Sequence, residues 1–196
     1  MRTGIMGGTF NPVHNAHLLI AQKAQAQYGL NRIIFITSGN PPHKTAMTDA
    51  RHRFNMTRLA ISDNSSFIDD DFEVNRSEKS YTLYTLEYLK KKYPEDELFF
   101  IIGEDSLEDL PKWYKPEKIL ALASVLVFPR KSEKSLLNTI AEIKTRFEGY
   151  ICPIDAPVTD ISSTQIRECI LNGENVREML PRKVLGYIEE NGLYVR

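Results

Sequence analysis

An α/β fold, a doubly wound parallel sheet with a small helical extension at its C-terminal end, is predicted by three features of the sequence. Short apolar runs alternate with longer segments whose apolar residues recur at three- and four-residue spacing, the order expected of a sheet covered by helices on both faces. The alternation stops in the last part of the chain, where two helical patterns follow one another with no strand between them. A chain of 196 residues, 42% hydrophobic, carries enough apolar side chain for one core without disulfide or metal staples. At this size folding buries roughly 70% of the unfolded surface. A single domain over 1–196 is expected, with a helical part from about 160 to 196 that closes one side of the sheet.

The first apolar run, Met1 to Met6, reads as a strand that leads straight into Gly7-Gly8-Thr9. Asn15 to Tyr28 follows with helical periodicity, then the run Ile33 to Thr37, the helix Arg51 to Ser62 and a strand over Phe72 to Asn75. Thr82 to Tyr93 is the next amphipathic segment, before the apolar run Leu98 to Ile102. Leu107 to Leu122 reads as one helix, Ser124 to Phe128 as a strand, Glu133 to Phe147 as a helix and Tyr150 to Ile154 as the sixth strand. Ser162 to Leu171 and Pro181 to Asn191 are the two closing helices. Asp69 to Asp71 and Lys90 to Lys92 read as solvated turns and helix ends.

Charge and cysteine content narrow the function classes. Lys and Arg number 25 against 26 Asp and Glu, so no global field draws nucleic acid or an anionic membrane, and an anionic ligand has to be held locally. No apolar run approaches the ~20 residues of a spanning helix. Cys152 and Cys169 lack metal or redox spacing, and no targeting segment precedes the first glycines, so a cytoplasmic protein is expected. Neither a nucleic acid polymer nor a membrane is an expected partner, and a homo-oligomer is compatible with the sequence.

Gly4 to His17, GIMGGTFNPVHNAH, is the segment richest in chemistry. Ligands of open parallel sheets bind beyond the carboxyl ends of the strands, where Gly7, Gly8 and Thr9 fall, and glycines let backbone N–H groups approach a phosphate. Asn11 followed by Pro12 reads as a helix cap and first helical residue. His14 and His17, three apart, should then share one helix face about 5–6 Å apart. Two histidines without a nearby carboxylate or thiolate make a poor metal site, and they suit polarising a phosphoryl oxygen better. The pattern matches neither G-x-x-x-x-G-K-[ST] nor G-x-G-x-x-G.

GGTFNPVHNAH resembles the GGxFDPxHxGH signature of the HxGH nucleotidyltransferase superfamily. GNPPHK (Gly39 to Lys44), YTLYTLEYL (Tyr81 to Leu89), FIIGEDSLEDLPKWY (Phe100 to Tyr114) and ISSTQIRE (Ile161 to Glu168) narrow the resemblance to the bacterial nicotinate-mononucleotide adenylyltransferases. It implies a Rossmann-like nucleotidyltransferase fold. It also implies a reaction in which the phosphate of nicotinate mononucleotide attacks the α-phosphorus of ATP, giving nicotinate adenine dinucleotide and pyrophosphate, with Mg2+ arriving on ATP and no metal site in the protein. His17 would contact the α-phosphate, with His14, Lys44 and Arg167 completing the catalytic set. Gly7, Gly8, Thr9, Phe10, His43, Gly103 and Asp105 would bind ATP, Asp105 through ribose hydroxyls. Ser162, Ser163 and Thr164 would do so at a helix start, where Ser162 and Gln165 form a capping-box pattern. Asn40, Thr85 and Trp113 would bind the nicotinate nucleotide, Trp113 by stacking and Thr85 by presenting N–H and hydroxyl donors to its carboxylate.

Four positions depart from the family pattern: Asn11 for Asp, Ala16 for Gly, Tyr84 for Asp, and Arg130 one residue later than its usual place after the strand. The roles of Tyr84, Glu104 and Arg130 are left open by the sequence. Pantetheine-phosphate adenylyltransferase shares the first and last motifs, but PPHK and LPKWY count against it. A nucleotide sensor that kept the pocket and lost turnover is the alternative outside the enzymes.

Overall fold

The computed structural model describes residues 1–41, 48–130 and 135–195. Its centre is a six-stranded sheet of β1 (Arg2–Gly8), β2 (Arg32–Thr37), β3 (Phe67–Asp70), β4 (Glu97–Gly103), β5 (Ser124–Phe128) and β6 (Ile151–Pro153). The spatial order is β3-β2-β1-β4-β5-β6, and every neighbouring pair is parallel. The chain builds outward from β1 in one direction and from β4 in the other. The crevice between the carboxyl ends of β1 and β4 is therefore the topological switch point, where such sheets bind ligands.

Around the sheet lie α1 (Asn15–Tyr28), α2 (Ala50–Ile61), α3 (Thr82–Lys92), α4 (Glu104–Asp109), α5 (Pro116–Leu122), α6 (Leu136–Lys144), α7 (Ser163–Leu171) and α8 (Arg182–Glu190). Strand side chains alternate between faces, and the alternation divides the core into two layers. Met6, Phe35, Phe99, Ile101 and Leu126 pack on one face with Ala21 and Ala24 of α1, Met56 and Ala60 of α2, Ile166 of α7 and Val184 of α8. Ile5, Ile34, Phe100, Ile102 and Val125 pack on the other with Leu86 of α3, Ile119 of α5 and Ile140 of α6. Both faces are covered, so the strands read as continuous apolar runs.

The sequence reading needs correction in three elements. The third strand is Phe67–Asp70, not Phe72 to Asn75, because the edge is set by pairing with β2, where Ile33 lies opposite Phe67 and Ile36 opposite Asp70. Asp70 is 7% exposed, and its carboxylate accepts from Lys92 Nζ at 2.9 Å and from the Phe72 N–H at 3.0 Å, so neither acid nor lysine is merely solvated. The expected helix Leu107 to Leu122 is broken into α4, a 3-10 turn over Leu110–Lys112, and α5. Pro111 and Pro116 carry no N–H for the helix ladder, and Lys115 between them turns left-handed at φ 54°. Finally, α1 begins at Asn15 with His14 as its cap, so Asn11-Pro12 is a turn ahead of the helix.

Candidate active site

The site is a cavity of about 730 Å³ at the switch point, walled by the exits of β1 and β4, the starts of α1, α3 and α7, and the 3-10 turn. That size suits a ligand of nucleotide class. Gly8 is needed sterically, since a Cβ there would sit 2.7 Å from the Phe10 ring. Phe10 itself takes a left-handed backbone at φ 47° and turns its ring inward, edge-on to His17 at 5.0 Å. Thus Gly7, Gly8, Thr9 and Phe10 all line the cavity, but the Phe10 ring also supports a catalytic candidate from below.

His14 and His17 are closer than helix spacing predicts, because one is the helix cap and the other the third helical residue. Their rings stack with centroids 3.7 Å apart. The His14 backbone N–H donates to His17 Nδ1 at 3.2 Å, so the neutral His17 ring carries its proton on Nε2. His14 is 3% exposed, and burial together with the nearby Arg130 cation lowers its pKa from 6.5 to about 4. The ring is therefore neutral at pH 7, and its Nδ1 is buried without a hydrogen-bond partner among the described residues.

Opposite this pair stands the start of α7. Ser162 caps the helix, its hydroxyl accepting from the Gln165 N–H at 3.2 Å. The Ser163 hydroxyl donates to the Pro12 carbonyl at 2.8 Å, which ties the second motif to the first. Arg167 donates to the Asn11 carbonyl at 2.8 Å and to the Thr164 hydroxyl at 3.2 Å, leaving the other N–H groups of its fork for a ligand. Gly103 ends β4, and Asp105 lines the cavity with Arg130 Nε 3.9 Å from its carboxylate. Lys44 and His43 lie outside the described residues.

On the far side, Trp113 lines the cavity at the end of the 3-10 turn, packed edge-on against Phe100 at 6.2 Å. Its position follows from the proline-broken helix. Thr85 also lines the cavity, but its hydroxyl donates to Glu73 Oε1 at 2.5 Å. It is thus engaged by an acid, contrary to the expectation of a donor facing the substrate carboxylate. The Asn40 side chain donates to the Ser77 carbonyl at 3.1 Å and its backbone N–H to the Ser80 hydroxyl at 3.1 Å, so this residue joins two loops.

Of the residues that the sequence left open or unremarked, Arg130 lines the cavity, and Glu104 and Arg53 hold its wall without lining it. Glu104 is 2% exposed and accepts from the Arg130 N–H at 3.1 Å, which sets Arg130 at the cavity wall beside His14. Arg53 of α2 is 1% exposed and binds the carbonyls of Thr9 at 2.7 Å, Ser38 at 2.6 Å, Gly39 at 3.2 Å and, through Nε, Thr48 at 2.9 Å. One guanidinium thereby joins the loops that follow β1 and β2. An arginine on the apolar face shared by Phe54, Met56 and Thr57 was the visible signal. Among the described residues no group of three or more His, Cys, Asp or Glu could hold a metal ion, and no helix is long and apolar enough to cross a membrane.

Comparison with known proteins agrees with this geometry. The cytidylyltransferase-like family model matches residues 5–169. The chain is 41% identical to the probable nicotinate-nucleotide adenylyltransferase of Clostridium tetani over 98% of both chains, and 40% identical to that of Lachnoclostridium phytofermentans over 99% of both. Its fold superposes on the Plasmodium falciparum nicotinic acid mononucleotide adenylyltransferase complexed with NaAD, with a TM-score of 0.82 at 22% identity, covering 98% of this chain and 97% of that one. The six-stranded parallel sheet with its flanking helices is thus a Rossmann-like nucleotidyltransferase fold. By sequence, along its whole length, the chain belongs to the nicotinate-nucleotide adenylyltransferase family.

Proposed function

We propose that the switch-point cavity joins ATP to nicotinate mononucleotide, giving nicotinate adenine dinucleotide and pyrophosphate. The observation that carries this reading is the meeting in one cavity of the stacked His14 and His17, the start of α7 and Trp113. The first two suit a triphosphate and the last a flat pyridine ring. A phosphate oxygen of the mononucleotide bonds to the α-phosphorus as the bond to the bridging oxygen breaks, and pyrophosphate leaves with that oxygen. No protein nucleophile is needed, so catalysis consists of positioning and charge stabilisation.

His17, with Nε2 as donor, binds the α-phosphoryl oxygens where charge builds. Arg167 and the hydroxyls of Ser162 and Thr164 hold the β- and γ-phosphates, and Asp105 accepts from the ribose. Magnesium enters on the triphosphate and neutralises part of its charge. Trp113 stacks on the pyridine ring. Glu73 already holds the Thr85 hydroxyl, so the substrate carboxylate is read by backbone N–H groups at the start of α3. An amide in that place would set donor against donor, at a cost of roughly 1–3 kcal/mol for each group left unpaired.

The test is pyrophosphate release with ATP and magnesium, offering nicotinate mononucleotide, nicotinamide mononucleotide or phosphopantetheine in separate reactions. Turnover fastest with the nicotinate substrate is expected. A preference for phosphopantetheine, or ATP binding with silence on all three, defeats the proposal.

A further inference from the structure

The last residues of the chain reach the nucleotide side of the cavity from behind. Tyr194 packs half-buried against the core layer to which α1 and α2 contribute, and its hydroxyl donates to Asn11 Oδ1 at 2.8 Å. Asn11 is 7% exposed and lines the cavity, and its own carbonyl is the one that accepts from Arg167 at 2.8 Å. A connected path therefore runs from the C-terminal tail through the first motif to the arginine of α7.

The backbone separates this contact from ordinary tail packing. Tyr194 takes a left-handed backbone at φ 65°, a region unfavourable to any side chain with a Cβ and held only where the surroundings enforce it. Gly192 meets the same need at φ 56° without that cost. Burial pushes the Tyr194 phenol up to about 12, against the lowering effect of a hydrogen bond with the Thr48 side chain. A phenylalanine would fill the same apolar space. What the hydroxyl adds is a hydrogen bond with the Thr48 side chain and a directed bond to Asn11, the loop residue whose carbonyl carries Arg167.

We propose that Tyr194 is a positioning residue for the nucleotide triphosphate: by fixing Asn11 it fixes the carbonyl on which Arg167 rests, and so the placement of the guanidinium that meets the phosphates. The inference rests on the reading that ATP occupies this side of the cavity. It does not depend on which molecule accepts the adenylyl group. It also gives Asn11, where the family commonly has Asp, a defined task as hydrogen-bond acceptor.

The first measurement is calorimetric binding of a non-hydrolysable ATP analogue with magnesium and no second substrate, to the wild type and to Tyr194→Phe, which removes one oxygen. Loss of the neutral hydrogen bond to Asn11, the one on the path to Arg167, corresponds to about fivefold in affinity. Tyr194→Phe is expected to weaken the analogue by about that factor and raise the KM for ATP similarly, with the KM for the pyridine mononucleotide within about twofold. Asn11→Ala is expected to weaken the analogue comparably, and the double variant no more than about tenfold, short of the product of the single effects. Unchanged analogue affinity in a folded Tyr194→Phe protein overturns the proposal, even if Tm falls. So does equal weakening of both substrates, which a general loosening of the tail would give. If the wild type binds the analogue but releases no pyrophosphate with nicotinate mononucleotide, the proposed reaction fails while the comparison still decides the part played by Tyr194.

Discussion

At the residue scale, the stacked histidines differ in what each ring touches. His17 Nδ1 is occupied by the His14 N–H, which makes Nε2 its donor, and the ring is supported edge-on by Phe10. His14 is buried beside the Arg130 cation, and burial first and that charge second lower its pKa to about 4, so its ring is neutral at pH 7. Removing His17 should therefore strike the transition state while leaving the fold nearly intact. His17→Ala is expected to lower kcat for pyrophosphate release by about two to three orders of magnitude, the usual cost of losing one charge-stabilising donor. Tm should stay within a few degrees. A kcat/KM within about threefold of wild type would remove His17 from the reaction.

At the element scale, α2 does more than cover the sheet. Arg53 projects from its first turn and binds four carbonyls from three separate segments, so the exits of β1 and β2 are fixed relative to each other by one side chain. Gly39, at one of those carbonyls, packs so closely that an added Cβ would lie 2.0 Å from the Glu73 carbonyl oxygen. Arg53→Met leaves those buried acceptors without a donor and is expected to destabilise the protein by roughly 3 kcal/mol. Urea midpoints at unchanged slope would measure it, with Arg53→Lys intermediate because an ammonium lacks the fork. A wild-type midpoint for Arg53→Met would show that the loops hold themselves. The limit of the sequence reading lies in this kind of contact. The exits of β1 and β4, the start of α7 and the two-layer sheet follow from periodicity and from glycine and serine placement, which are local signals. Arg53, Glu73 and Tyr194 act on residues distant in the chain, and no local pattern reports such a partner. Edge strand β3 was misplaced for a related reason, since its register comes from β2. The broken helix was a different failure: Pro111 and Pro116 were in plain view, and the break they impose is what carries Trp113 to the cavity.

At the scale of the whole molecule, the two ends of the parallel sheet respond to acid in successive pH ranges. At the carboxyl end, His14 has a folded pKa of about 4 against 6.5 unfolded. Between those values the unfolded chain binds a proton that the folded chain refuses, so stability is full above pH 6.5 and declines as pH falls toward 4. The shift corresponds to roughly 3 kcal/mol. At the amino end, burial alone would raise the Asp96 carboxyl, but hydrogen bonds from the Thr3 hydroxyl, Arg32 and the N-terminal ammonium outweigh it and hold the group near 2. This group is depressed in the fold, so its contribution is present above the unfolded value of 3.8 and is lost as pH falls toward 2. That loss amounts to about 2 kcal/mol. Urea unfolding across pH 2 to 8 is therefore expected to show two successive declines. Asp96→Asn should lower stability at neutral pH and flatten only the lower decline, with both KM values unchanged, because the cluster lies at the far end of the strands from the cavity. A saturating ATP analogue should weaken the upper decline, since an anion beside His14 favours its protonated form. A single decline that Asp96→Asn erases entirely would mean that His14 does not titrate as its burial requires.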